Sequence, residues 1–199
     1  MKRLLSIIAV TSLLVGCNSD TQSTANDRSL ELNNQALEYT AYLHSDPLKV
    51  DSAILLLDEA TFIDSTFFSA YLNKIPFLMA KGDLTKLLET NAKIQELQPN
   101  DPNWIIQRGV ILECFDEKDK AKVEFEKGIK KYESIIDTLS SISWEFEHLY
   151  AMNLVWVDRL KDAESIIARL KNENPDELFL QEFDLQTKEE WLELYKSQP

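Results

Sequence analysis

From residue 30 onward, apolar residues recur every three or four positions, which is the period of an amphipathic helix. Runs in which apolar and polar residues alternate strictly, as they would in strands, are few. Clear examples of the helical period are Ala53, Ile54, Leu57 and Ala60, and then Leu84, Leu87, Leu88 and Ile94. We therefore expect an all-α chain made of several short helices in succession.

The helical pattern itself repeats every 34 residues. The residues in phase are Ala53, Leu87 and Ala121; Leu57, Asn91 and Phe125; and Ala60, Ile94 and Gly128. This pattern resembles the tetratricopeptide repeat, a helix–turn–helix of about 34 residues. The resemblance implies a solenoid of about four helical hairpins, at residues 34–67, 68–101, 102–135 and 144–177. A capping box at residues 187–190 predicts a C-terminal capping helix after them, in which Trp191, Leu192 and Leu194 shield the last repeat.

Small residues are expected where the two helices of a repeat cross, because a small side chain lets the backbones approach. Ala41 and Gly109 hold that place in first helices, and Ala121 and Ala163 hold it in second helices. Gly82 is expected in the turn of the second repeat, where a positive φ is useful.

Some residues depart from the repeat pattern. The second repeat carries Ile75 and Asn91 at two of its pattern positions, and Pro76 should kink its first helix. Eight extra residues, 136–143, predict a lengthened second helix and a loop between the third and fourth repeats.

The N-terminus has the organisation of an exported protein. Lys2 and Arg3 precede an apolar stretch, residues 4–15, which is too short to span a bilayer as a helix. The end of this stretch and the two residues after it read Leu-Val-Gly-Cys, from Leu14 to Cys17, and resemble the lipobox of bacterial lipoproteins. The resemblance implies a signal peptide at 1–16, acylation of Cys17, and a flexible tether at 17–28 before a helical domain at 29–199. The alternative is an ordinary secretory signal with an incidental cysteine.

The residue after Cys17 and the net charge indicate where the protein is located in the cell and which partners it can bind. Asn18 follows the cysteine, which by resemblance to the sorting rule of Gram-negative lipoproteins favours the outer membrane, on either its periplasmic or its outer face. The formal charge of −13 argues against nucleic acid and against attraction to anionic lipid. We expect the membrane to be contacted only through the N-terminal lipid.

Catalytic chemistry is not predicted. The chain has no glycine-rich phosphate loop, nucleophile elbow or paired-cysteine motif, so we expect no enzyme and no cofactor. Glu145 and His148 could share a helical face, but a metal site needs more ligands, so no metal is expected. Cys114 lies among apolar residues, and we expect it to be a buried structural thiol rather than a reactive one.

The resemblance implies instead a concave groove lined by the first helices of the repeats. The candidate groove residues are Tyr42, Leu72, Met79, Ile106, Val110, Glu113, His148, Met152 and Trp156. Such a groove suits a protein segment that is apolar or amphipathic, with basic flanks. The expected function is therefore a membrane-anchored scaffold for an unidentified protein partner, and the alternative is a lipoprotein that binds a small ligand or glycan. Residues 136–143 or the C-terminal helix could themselves cover part of the groove.

Overall fold

The computed structural model describes residues 26–197, and this part of the chain is helical with no strand. The all-α prediction is therefore confirmed. Cys17, the signal peptide at 1–16 and most of the tether lie outside the described residues. The ten α-helices of this part are α1 (Asp27–Leu37), α2 (Pro47–Ile63), α3 (Phe68–Lys81), α4 (Leu84–Leu97), α5 (Asn103–Cys114), α6 (Lys118–Thr138), α7 (Trp144–Leu154), α8 (Leu160–Glu173), α9 (Leu178–Glu182) and α10 (Lys188–Ser197). Short 3-10 segments, Glu38–Tyr42 and Val155–Val157, continue α1 and α7.

The chain divides into two compact units between Asp83 and Leu84, at the turn inside the predicted second repeat. In the first unit, α1 packs on α2 and α2 packs on α3. Asp46 starts α2 by accepting hydrogen bonds from the Leu48 and Lys49 amides, with Pro47 in the first turn. The helix α3 continues through Pro76 and ends at Gly82, whose φ of 71° confirms the predicted turn.

The first helix of the first unit lies earlier in the chain than predicted. Asn26 starts α1 because its side chain accepts a hydrogen bond from the Arg28 amide at 3.0 Å. The buried face of α1 is then formed by Leu32 and Ala36, while Ala41 is exposed. The prediction that Ala41 marks a helix crossing is therefore wrong. The tether predicted to reach residue 28 also overlaps α1, which begins at Asp27.

The second unit runs from α4 to α10, with α5 packed on α6 and α7 packed on α8. At the first of these crossings a Cβ added to Gly109 would lie 2.5 Å from the ring of Phe125. Ala121 and Ala163 are fully buried, as predicted. The helix α6 extends to Thr138, which confirms the predicted lengthening.

Asn91, which departs from the repeat pattern, has a structural role in α4. Its side chain is fully buried and donates to the Trp104 carbonyl and to Gln107 Oε1, both at 3.0 Å. The side chain of Gln95 donates in turn to Asn91 Oδ1 at 2.7 Å. An apolar residue at this place could not satisfy these groups, so the polar side chain ties α4 to α5.

None of the helices in residues 26–197 combines the length and the apolar character that crossing a membrane requires.

Candidate protein-binding groove

Three of the candidate groove residues lie in the first unit, and they differ in how far they are exposed to solvent. Tyr42 is exposed at the end of the 3-10 segment, with the Lys49 ammonium 3.1 Å from the centre of its ring. Leu72 is buried within the unit, and Met79 is half-buried near the end of α3. Leu72 is therefore part of the core rather than a surface contact.

On α5, the candidate groove residues are buried, Ile106 against Gly128 of α6 and Glu113 beside the last helix of the described chain. Ile106, Val110 and Glu113 are all buried, and α10 packs against α5. The Lys188 ammonium lies 3.3 Å from Glu113 Oε1, so α10 also neutralises the acidic group of this surface. These side chains are therefore not free in the described chain, which agrees with the alternative that the C-terminal helix covers part of the groove.

On α7 and the 3-10 segment after it, the candidate residues His148, Met152 and Trp156 are buried as well. The Trp156 ring stacks on Phe125 at 5.0 Å between centroids and lies 6.4 Å from the ring of Tyr195 in α10. One surface of the second unit thus receives side chains from the last helix at both α5 and Trp156.

His148 is held by aromatic edges rather than by polar partners. Its ring lies 4.5 Å from Phe183 and 5.3 Å from Phe179, both at a steep angle. Burial lowers the pKa of His148 to about 4, and its Nε2 has no hydrogen-bond partner among residues 26–197. Glu145 is exposed while His148 is buried, so the two do not form a pair. No group of three His, Cys, Asp or Glu side chains in the described chain could hold a metal ion.

Of the two segments that could cover the groove, the C-terminal one supplies the contacts described above. Leu139, in the loop after α6, is exposed. Leu180 of α9 and Trp191 of α10 are buried. We name the surface formed by Ile106, Val110, Glu113, His148, Met152 and Trp156 the inner surface of the second unit, and residues 178–195 the covering segment.

Sequence reasoning found part of the covering segment. Trp191 is buried as expected, but α10 packs on α5 of the predicted third repeat. The roles of Phe179, Phe183 and Tyr195 were missed. The sequence feature that could have predicted these roles is their spacing. Phe179 and Phe183 are four residues apart, as are Trp191 and Tyr195, so each pair shares a helical face. Cys114 is partly buried, which is less than expected.

The sequence matches no family model, and a comparison with curated proteins finds no significant relative.

Proposed function

We propose that this chain is a lipid-anchored, non-enzymatic scaffold of the bacterial cell envelope, built from tetratricopeptide-type hairpins, which binds a segment of a partner protein. The lipobox-like sequence ending at Cys17 supports the anchor. The acidic charge supports a protein partner over nucleic acid. The outer membrane is the proposed location, because Asn18 follows the cysteine.

The hairpins α5–α6 and α7–α8 support the repeat type. Each pairs a first helix with a second helix at the residue ranges expected for the third and fourth repeats. The close approach of Gly109 to Phe125 falls at two pattern positions, and Ala151 and Ala163 are fully buried at the corresponding crossing positions of the next hairpin. These are the contacts that the small-residue pattern of the repeat predicts.

The observation that carries protein binding is that the inner surface of the second unit already accommodates a helix. The covering segment reaches it through aromatic side chains, with Lys188 opposite Glu113. A partner that used this surface would present the same chemistry: a short amphipathic helix with two aromatic residues four apart and a basic residue near its start. Such a partner would have to displace α10, so binding and covering compete.

The anchor is tested by replacing Cys17 with Ala and labelling cells with a clickable fatty acid. We expect the label to disappear from the Cys17→Ala chain, because only the thiol can carry the diacylglycerol. Retained label would refute the lipobox, whatever the helical domain binds.

The surface is tested by weakening the covering segment without touching the inner surface. Trp191→Ala removes a buried anchor of α10, and replacing a buried Trp with Ala typically costs 3–5 kcal/mol. We expect chemical cross-linking in membranes, followed by purification, to recover more of one partner with Trp191→Ala than with wild type. Glu193→Ala, an exposed change in the same helix, is the matched control and should behave as wild type. Equal recovery with all three chains would exclude this surface as the binding site.

A further inference from the structure

A single line of apolar side chains on α2 is left uncovered by the rest of the described chain. Leu48, Leu55 and Phe62 are 77%, 68% and 88% exposed. Residues seven apart on an α-helix differ by only about 20° in direction, so these three side chains form one stripe along about 21 Å of the helix. The opposite face of α2 is fully used, since Ala53, Leu57 and Ala60 are buried in the first unit. We name these three side chains the α2 stripe.

We propose that the α2 stripe is a self-association surface, on which a second copy of this chain packs its own α2 in the antiparallel direction. The proposal does not depend on the lipid anchor or on the inner surface of the second unit. It names a surface of the first unit and a different partner.

The width and spacing of the stripe favour another helix over a lipid surface. A seven-residue apolar period keeps one line of side chains in contact with a neighbouring helix as the two wind around each other. A lipid surface would favour a broad apolar face instead. Here the stripe is one side chain wide, with Asp51 on one side of it and Ser52 and Glu59 on the other. Acidic groups beside a helix seam stay in water, whereas insertion into lipid would have to desolvate them.

The symmetry of the stripe favours a second copy over an unrelated helix. Leu48 and Phe62 lie seven residues to either side of Leu55. In an antiparallel pair related by a two-fold axis through Leu55, the two Leu55 side chains meet on the axis, and each Leu48 packs against the other copy's Phe62. A two-fold interface must be self-complementary in this way, because the same patch contributes both halves.

The flanking charges are partly neutralised within each copy, since Asp51 and Asp58 each pair with a lysine and Glu59 shares Arg28 with Glu31. The pairs are Asp51 with Lys81, Asp58 with Lys74 at 2.6 Å, and Glu59 with Arg28 at 3.8 Å. Two stripes therefore meet less repulsion than the same carboxylates would give without their cations. This local balance matters in a chain whose formal charge is −13.

The area of the stripe sets the strength of the dimer. At these exposures the three side chains offer roughly 400 Å² per copy, or about 800 Å² for the pair, given about 150–250 Å² for a large side chain. A specific interface needs about 1,000 Å² or more. We therefore expect a reversible dimer rather than an obligate one.

The geometry is tested by site-directed disulfides in the full chain. Cys114 is first replaced by Ala, and this parent measures any background from Cys17. Because the two Leu55 residues meet on the axis, Leu55→Cys should give a disulfide-linked dimer under mild oxidation. Leu48→Cys alone should not, since the two sites would lie about 21 Å apart, but mixing Leu48→Cys with Phe62→Cys chains should. Linking of Leu48→Cys to itself as readily as Leu55→Cys would overturn the antiparallel arrangement.

The role of the stripe is tested by sedimentation of the full chain over a range of concentrations. Leu55→Glu places two charges on the axis and should weaken dimerisation at least tenfold, without lowering the melting temperature, because the side chain is exposed. Val123→Glu, at a 62% exposed apolar residue of α6, is the matched control and should dimerise as wild type does. A wild-type chain that is monomeric at all concentrations and forms none of these disulfides overturns the proposal. If a polarity-sensitive dye on such a monomeric Leu55→Cys chain shifts with phosphatidylcholine vesicles, the stripe contacts lipid instead.

Discussion

Replacing Gly109 with Ala tests the closest helix crossing in the second unit. The added Cβ would lie 2.5 Å from Phe125 Cδ1 and Cε1 and 3.1 Å from Cγ, well inside van der Waals contact. The ring cannot retreat freely, because Phe125 is fully buried and stacks on Trp156 at 5.0 Å. The helices must therefore move apart, or the ring must leave its rotamer.

The size of the effect follows from two opposing terms. Overpacking a core by one methyl group typically costs 1–3 kcal/mol. Because the added Cβ would clash with two atoms of a ring that cannot move freely, we expect a cost of about 3 kcal/mol. Alanine is favoured over glycine inside a helix by about 1 kcal/mol. We expect Gly109→Ala to lower the free energy of unfolding by about 2 kcal/mol.

The measurement is urea unfolding followed by tryptophan fluorescence. All four tryptophans lie after residue 84, so the signal reports on the second unit. With a slope of about 2 kcal/mol per molar urea, the midpoint should fall by about 1 M. Adding Phe125→Leu to Gly109→Ala should relieve part of the clash. The double variant should therefore lose less unfolding free energy than the sum of the losses in the two single variants.

Gly82→Ala is the contrasting control. Nothing lies within 4 Å of a Cβ at Gly82, and its cost comes only from the positive φ, at about 1–2 kcal/mol. Phe125→Leu should not rescue it. A Gly109→Ala chain that is as stable as wild type, or more stable, would mean that α5 and α6 do not approach as closely as described.

Three further outcomes follow from the described contacts. The pKa of His148 is about 4 in the folded chain and 6.5 when unfolded, so only the unfolded state gains this proton as the pH falls from 6.5 to 4. The free energy of unfolding at pH 5 should therefore be about 2 kcal/mol lower than at pH 7. His148→Leu should abolish that part of the pH dependence. Asn91→Leu removes the buried amide that donates to the Trp104 carbonyl and to Gln107 Oε1, and should cost about 1–3 kcal/mol in urea unfolding. Ala163→Trp should overpack α8 against α7 and lower the melting temperature by several degrees, whereas Ala168→Trp, on the exposed face of the same helix, should not.

The helix pairs of the second unit could be predicted because their pattern is local. Gly109, Ala121 and Ala163 are small residues at the pattern positions of their own repeats where two helices cross, and such positions predict crossings directly. The start of α1 could not be predicted in the same way. Ala41 continued the period by coincidence, while the helix start is decided by the Asn26 side chain and the burial of Leu32.

The cover of the inner surface was harder to predict than its lining. Spacing predicts that Trp191 and Tyr195 share a helix face, but it does not say which of several apolar surfaces that face meets. The same limit applies to Ile106 and Val110. An apolar stripe on a first helix gives the same sequence pattern whether a partner protein or the chain's own last helix covers it.

The pairing of α10 with α5 also governs the order in which the second unit can be completed during synthesis. The α5 side chains Val110 and Glu113 are made well before Trp191 and Lys188 of α10, the helix that packs on α5. Synthesis at about 5–20 residues per second leaves several seconds in which an apolar strip of the nascent chain faces solvent. During that interval holding chaperones have a binding site, which the arrival of α10 then removes.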